Sequence, residues 1–153
     1  MNNLTPAVLS DVCVLLADIH AALILTRRPV SISVARVLAW AWNPGRLERC
    51  RQKLAEGEKA PPIHVNRYRL NGLTWYVVSD GRHRTVAARE AGRARITAVV
   101  GSETDCHPDR YRLAVNDGRL WQAMAEPGCF QLVAADLEPS VMAGLLAVGV
   151  ALM

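Results

Sequence analysis

A strand, a glycine turn and a helix follow one another without a break between Leu73 and Gly92, and this succession constrains the chain more than any other stretch of it. Leu73-Thr74-Trp75-Tyr76-Val77-Val78 is rich in β-branched and aromatic residues and predicts a strand. Val86 to Ala91 are good or tolerable helix residues, and Gly92 stands where a helix stops. Ser79-Asp80-Gly81-Arg82-His83-Arg84-Thr85 connects the two. Gly81 can adopt a backbone conformation that other residues resist. The start of a helix leaves N–H donors unpaired at its positive end. Arg82, His83 and Arg84 add side-chain donors at the same place. A turn of this composition suits phosphate.

The chain has 153 residues and is 51% hydrophobic, which predicts one domain over residues 1–153 with a sizeable buried core. Aromatic residues make up 5%, so that core must be mostly Val, Leu, Ile and Ala. The formal charge of +4 is unevenly spread. From Arg27 to Arg95 there are 15 Lys or Arg against 5 acidic residues, a net of +10. After Gly101 there are 3 against 7, a net of −4. The basic middle therefore suits a polyanion and the tail does not.

Cys13, Cys50, Cys106 and Cys129 are widely spaced, form no Cys-x-x-Cys pair and suit a reducing, cytoplasmic setting. Asp11 and Asp18 interrupt the first apolar run, so no signal peptide is expected. Val141–Met153 is apolar throughout but falls short of the ~20 residues that span a bilayer. A buried terminal helix is expected there, with a homo-oligomer or protein partner as the other use for its apolar surface.

Apolar residues at helical spacing (Leu9, Val12, Leu16, Ile19, Leu23) predict one amphipathic helix over Pro6–Leu25, within an N-terminal segment 1–28. Val30–Val34 alternates as a short strand, and Val34 to Ala41 reads as a helical turn. Arg46–Glu56 reads as a helix that carries Arg46, Arg49 and Lys53 on one face. Pro61-Pro62 introduces a strand from Ile63, and Asn71-Gly72 is a strong hairpin signal. A helix Thr85–Ala91 and a strand Ile96–Val100 follow. Residues 102–153 are expected to be a helical extension, with pieces at Pro108–Asn116, Leu120–Ala125 and from Pro139 onward. The fold class expected is α/β (α+β), a small mixed sheet flanked by N- and C-terminal helices.

Pro61-Pro62-Ile63-His64-Val65, then a hairpin, Asp80-Gly81-Arg82-His83-Arg84, Ala87-Ala88, Gly92 and Ile96-Thr97-Ala98-Val99-Val100 resembles the ParB/sulfiredoxin superfamily. The resemblance covers residues 30–101. It implies a compact α/β fold that binds nucleotide phosphates at the turn. Members include partition proteins that hydrolyse CTP, sulfiredoxins that use ATP, free-serine kinases, and plasmid-borne proteins with nuclease and ATPase activity. Sulfiredoxins place a reactive Cys where this chain has Arg82, so the resemblance does not extend to sulfinic acid repair. It does carry over His83-Arg84 as contacts to ATP phosphates. By register from Pro61-Pro62, it also gives Arg46, Arg49 and Lys53 as the opposite wall of the nucleotide pocket. The 50 or so residues after Gly101 are too short and too acidic for the helix-turn-helix domain that partition proteins need.

The phosphate-binding candidates are thus Gly81, Arg82, His83, Arg84, Thr85, Arg46, Arg49 and Lys53. Arg84 offers a planar fork suited to phosphate. His83 is either a general acid–base or a buried, satisfied histidine. Thr85 is either a phosphate contact or simply the cap of its helix. Asp80 is a candidate to hold Mg²⁺ or act as a base, against a plain turn-forming role. Glu56 and Glu58 are further candidate carboxylates, and Glu58 is the one expected to be catalytic. Arg51, Lys59, Arg67 and Arg69 are candidates to hold DNA. Trp40, Trp42, Trp75 and Trp121 are expected to be buried rather than to stack bases. Phosphoryl transfer needs positioning and charge neutralisation more than a special nucleophile. The function expected is a nucleotide-binding protein that hydrolyses ATP or another NTP with Mg²⁺ and binds DNA, with cleavage left open. The alternatives are a non-catalytic DNA- or nucleotide-binding module of a plasmid or phage, and a free amino-acid (serine) kinase.

Overall fold

The computed structural model describes residues 4–18, 23–24 and 28–153. The fold is mixed α+β, with four α-helices and two sheets among the described residues. Its centre is the hairpin of β4 (Ile63–Leu70) and β5 (Leu73–Asp80), closed by the Leu70–Leu73 pair. Asn71 and Gly72 both take positive φ, 52° and 76°, the backbone twist that a tight two-residue hairpin needs. Helix α3 (Arg82–Glu90) leaves β5 and leads to β6 (Arg95–Asp105), which lies parallel to β4 on the side away from β5. The edges are completed by β1 (Leu23–Ile24) and β2 (Val30–Ser33), both against β6, and by β3 (Val37–Leu38) against β5.

Helix α2 (Pro44–Ala55) begins where the sequence provides for it. Asn43 stands at the cap and its Oδ1 accepts from the Arg46 N–H at 3.1 Å, while Pro44 takes the first turn. Helices α2 and α3 are clasped on their outer side by Arg51, which donates to both Glu90 oxygens at 2.7 and 2.9 Å and to Glu48 at 3.2 Å. Those bonds hold the Glu90 carboxyl below its usual range.

Two apolar clusters form the core. Ile32, Val37, Ile63, Val65, Val78, Ala98 and Val100 fill one, with Val86 of α3 packed against it. The other joins Leu70 to α1 (Pro6–Leu15), to α4 (Pro139–Ala147) and to the second sheet. Helices α1 and α4 meet closely enough that a Cβ at Gly144 would lie 2.9 Å from Val8 and 3.0 Å from Val12. Among the described residues, no helix is long and apolar enough to cross a membrane.

Three expectations are corrected. The first helix stops at Leu15 rather than Leu25: Ala17 bridges to Cys106, the Asp18 N–H reaches the Asp105 carbonyl at 3.2 Å, and Leu23–Ile24 pairs as a strand with β6. Ile19 of the predicted stripe lies outside the described residues. The extension 102–153 is not helical throughout. After a short 3₁₀ turn at Pro108–Arg110 it forms β7 (Tyr111–Ala114), β8 (Arg119–Ala123) and β9 (Phe130–Ala134), and only α4 is an α-helix. After α4, β10 (Ala151–Leu152) returns parallel to β7. Tyr111 and Leu113 are buried and alternate with less buried neighbours, a strand pattern of period two. Helix α3 starts at Arg82, three residues before the predicted Thr85, because Gly81 completes the turn by itself.

Candidate functional site

Asp80 ends β5, and Gly81 turns the chain into α3 with φ 107° and ψ 26°. This turn packs directly on the sheet: a Cβ at Gly81 would overlap Ile63 Cγ2 and stand 2.8 Å from Ile63 Cβ. No side chain among the described residues caps the start of α3. The first N–H groups of the helix therefore lack a side-chain acceptor among the described residues, at its positive end.

Across from this turn stands one face of α2. Arg46, Arg49, Cys50 and Lys53 enclose a cavity of about 310 Å³ together with Asp80, Gly81, Arg82, His83 and Arg84. Five cationic side chains thus surround one space, with Asp80 as its single carboxylate. An adjoining cavity of about 320 Å³ shares Cys50, Lys53 and Arg84 and adds Glu58, Lys59, Pro61 and Ala87. A third, of about 630 Å³, shares Glu58, Lys59, Pro61 and Arg84 and runs on to Arg93 and Arg95.

Most of these side chains have partners within the fold. Arg84 donates through Nη1 to the carbonyls of Pro61 at 2.7 Å and Pro62 at 3.3 Å, and through Nη2 to Asp80 at 3.0 Å. It clamps the Pro-Pro entrance of β4 to the turn and still lines all three cavities. His83 is only 8% exposed, and its Nε2 accepts from the Asn43 backbone N–H at 3.1 Å. Burial, with Arg46 and Arg82 alongside, pushes its pKa below the ordinary value, so the ring is held neutral with its proton on Nδ1. Arg82 stacks over Trp40, its guanidinium carbon 4.5 Å from the ring centre. Arg46 lies over Trp42 at 5.0 Å, and the His83 ring meets Trp42 edge-on at 5.1 Å and 69°. The Trp-bearing segment is tied to α3 from both ends: Arg89 donates to the carbonyls of Val37 and Ala39 at 2.6 and 3.3 Å, and His83 holds Asn43.

The structure thus brings Arg46, Arg49, Lys53, Gly81, Arg82, His83 and Arg84 to one cavity. Thr85 is not among them. It is fully buried and its Oγ1 donates to the Gly81 carbonyl at 2.9 Å, which makes it part of the helix start rather than a ligand contact. His83 takes the role of the buried, satisfied histidine, since its one acceptor nitrogen is already engaged. Glu58 lines the adjoining cavity and not the one that Asp80 and His83 share. Asp80 does not fit a resident Mg²⁺ site. Its carboxylate is paired with the Arg84 guanidinium, and no group of three metal-ligating residues occurs among the described residues. Mg²⁺ commonly binds through one or two carboxylates and the phosphates of its substrate, so any ion here would arrive with the ligand.

Three of the four DNA candidates are paired with carboxylates. Arg51 is committed to Glu48 and Glu90 on the α2–α3 clasp. Arg67 and Arg69 both approach Glu103 on β6, at 3.6 and 2.8 Å, and Arg67 also lies over Tyr76. Lys59 lies along the second and third cavities, and Arg51 borders a further one of about 410 Å³ that shares Leu54 and Ala87 with the second. Two residues of the site carry more than the sequence suggested. Asn43 joins the starts of α2 and α3, which its position before Pro44 and ahead of a helical run could have indicated. Trp42 is 54% exposed rather than buried in the core. No family model matches the chain, and no curated protein matches it.

Proposed function

We propose that this chain is a ParB/sulfiredoxin-like protein that binds the phosphate chain of a nucleotide between the Gly81–Arg84 turn and α2. The observation that carries the proposal is the cavity of about 310 Å³ lined by five Arg and Lys side chains, three from α2 and two from the uncapped start of α3. Helix dipole, backbone donors and guanidinium forks all act in the same direction there, and each favours a multiply charged anion.

Hydrolysis of the bound nucleotide extends this reading. The cations supply charge neutralisation and positioning, the two larger requirements of phosphoryl transfer. Proton transfer at His83 would require release of its bond to Asn43, and metal binding at Asp80 would require release of Arg84. These two commitments favour, as a second reading, a non-catalytic module that holds nucleotide or DNA. Titration calorimetry with ATP and CTP, with and without Mg²⁺, tests binding in wild type and an Arg49→Ala variant. We expect binding in the wild type, several-fold weaker in the variant. Absence of heat with either nucleotide overturns the proposal. Phosphate release and nicking of supercoiled plasmid in the same samples separate the hydrolase from the binding module. ATP consumption that depends on added serine would instead assign the kinase reading.

A further inference from the structure

We infer that Trp42 is a stacking platform for the base of a nucleotide whose phosphates occupy the cavity at the start of α3; the inference rests on the phosphate-binding reading above. Trp42 belongs to neither apolar cluster, and more than half of it is open to solvent. Exposure alone would mean little, because single surface aromatics are ordinary. What distinguishes Trp42 is its neighbours. The Arg46 guanidinium and the His83 imidazole, which both pack on its ring, also line the cavity. The ring therefore borders the cavity through two of its lining residues. In a nucleotide a single sugar separates phosphate from base, so the base of a phosphate held there would lie beside the cavity rather than in it.

The ring is also held in place. Its backbone segment is tied to α3 at Ala39 and Asn43, and Arg46 rests on the ring from α2. An indole fixed in this way can receive a base with little further ordering. The stacked guanidinium adds cation–π attraction in the same arrangement. Trp40 carries a stacked guanidinium too, but it is the weaker candidate because it is less exposed. The chemistry recognised is a purine or pyrimidine base joined to phosphate, either in a free nucleotide or in a single strand.

The test compares three ligands, ATP, inorganic tripolyphosphate and a ten-nucleotide oligothymidylate, on wild type, Trp42→Ala and Trp42→Phe. Binding is read by calorimetry and by tryptophan fluorescence, and folding is checked by far-ultraviolet circular dichroism. Trp42→Ala should weaken a base-bearing ligand by about tenfold and leave tripolyphosphate within about twofold, the scale of one base–aromatic stack. Trp42→Phe should restore most of the loss. A loss confined to ATP assigns the base to a free nucleotide, and a loss confined to the oligonucleotide assigns it to a strand; both support the platform. If Trp42→Ala weakens tripolyphosphate as much as the base-bearing ligands, or weakens none of them, the inference is overturned. If the wild type binds none of the three, the phosphate-binding reading fails and the platform falls with it.

Discussion

Replacing Gly81 with Ala should cost the fold about 3 kcal/mol, and the structure separates that figure into two parts. The backbone at Gly81 has φ 107°, where a side chain is strained. Forcing an L-residue into left-handed conformation costs about 1–2 kcal/mol. The added methyl would also press on Ile63, which is fully buried in the sheet-side core. Overpacking of this kind costs about 1–3 kcal/mol. Gly92 provides the control, since its φ is 74° but a Cβ there meets nothing within 4 Å. Gly92→Ala should therefore show the backbone cost alone, about 1 kcal/mol. In thermal melts, a loss of 3 kcal/mol lowers the midpoint of a chain this size by roughly 6–12 °C. Urea titrations of both variants give the energies directly, with unchanged slope if the folded state keeps its compactness. Should Gly81→Ala cost no more than Gly92→Ala, the close packing of the turn on Ile63 is refuted.

Other perturbations reach different parts of the same site and its support. Arg84→Lys keeps the charge but cannot span Pro61, Pro62 and Asp80 together, so stability should fall by about 1–2 kcal/mol in urea titration; an unchanged midpoint would contradict the clamp. Burial lowers the His83 pKa below its ordinary 6.5, so the unfolded chain takes up that proton at higher pH than the folded one. The His83 contribution is complete above pH 6.5 and is lost as pH falls through the folded value, because protonation removes the acceptor for Asn43. Urea midpoints recorded from pH 7.5 to 5 should show this loss, and a His83→Gln variant should lack it. Gly144→Ala should cost about 1–3 kcal/mol by pushing α4 off Val8 and Val12, read from the same titrations.

The parts legible in the sequence are those whose cause is local. Asn71-Gly72 supplies the hairpin twist, Gly81 the turn, and Arg46, Arg49 and Lys53 share a helix face by spacing alone. The C-terminal sheet was not legible, because its signals are short or absent. Strands β7 and β8 carry only a few alternating positions each, and Phe130 to Val133 on β9 are all exposed, which leaves no pattern to read. The early end of α1 is a tertiary effect, since Ala17 and Asp18 pair with residues near the end of β6. The state of the site residues was hidden for a related reason. Arg84 binds main-chain carbonyls of Pro61 and Pro62, and His83 binds a main-chain N–H at Asn43. Backbone groups occur at every position, so no residue type marks those that will be used.

The stacking of Arg46 and Arg82 on tryptophans, with the clamping of Arg84, makes the cavity preorganised. Three long side chains have surrendered their rotamer freedom on folding, so a ligand need not order them, and each would otherwise subtract about 0.5–1.5 kcal/mol from binding. The opposite side of that advantage falls on the fold itself. Like charges gathered around one space repel, and a polyanion that settles among them relieves the repulsion. Micromolar to low-millimolar tripolyphosphate, too dilute for a general salt effect, should therefore raise the melting temperature by the mass action of a ligand that prefers the folded chain.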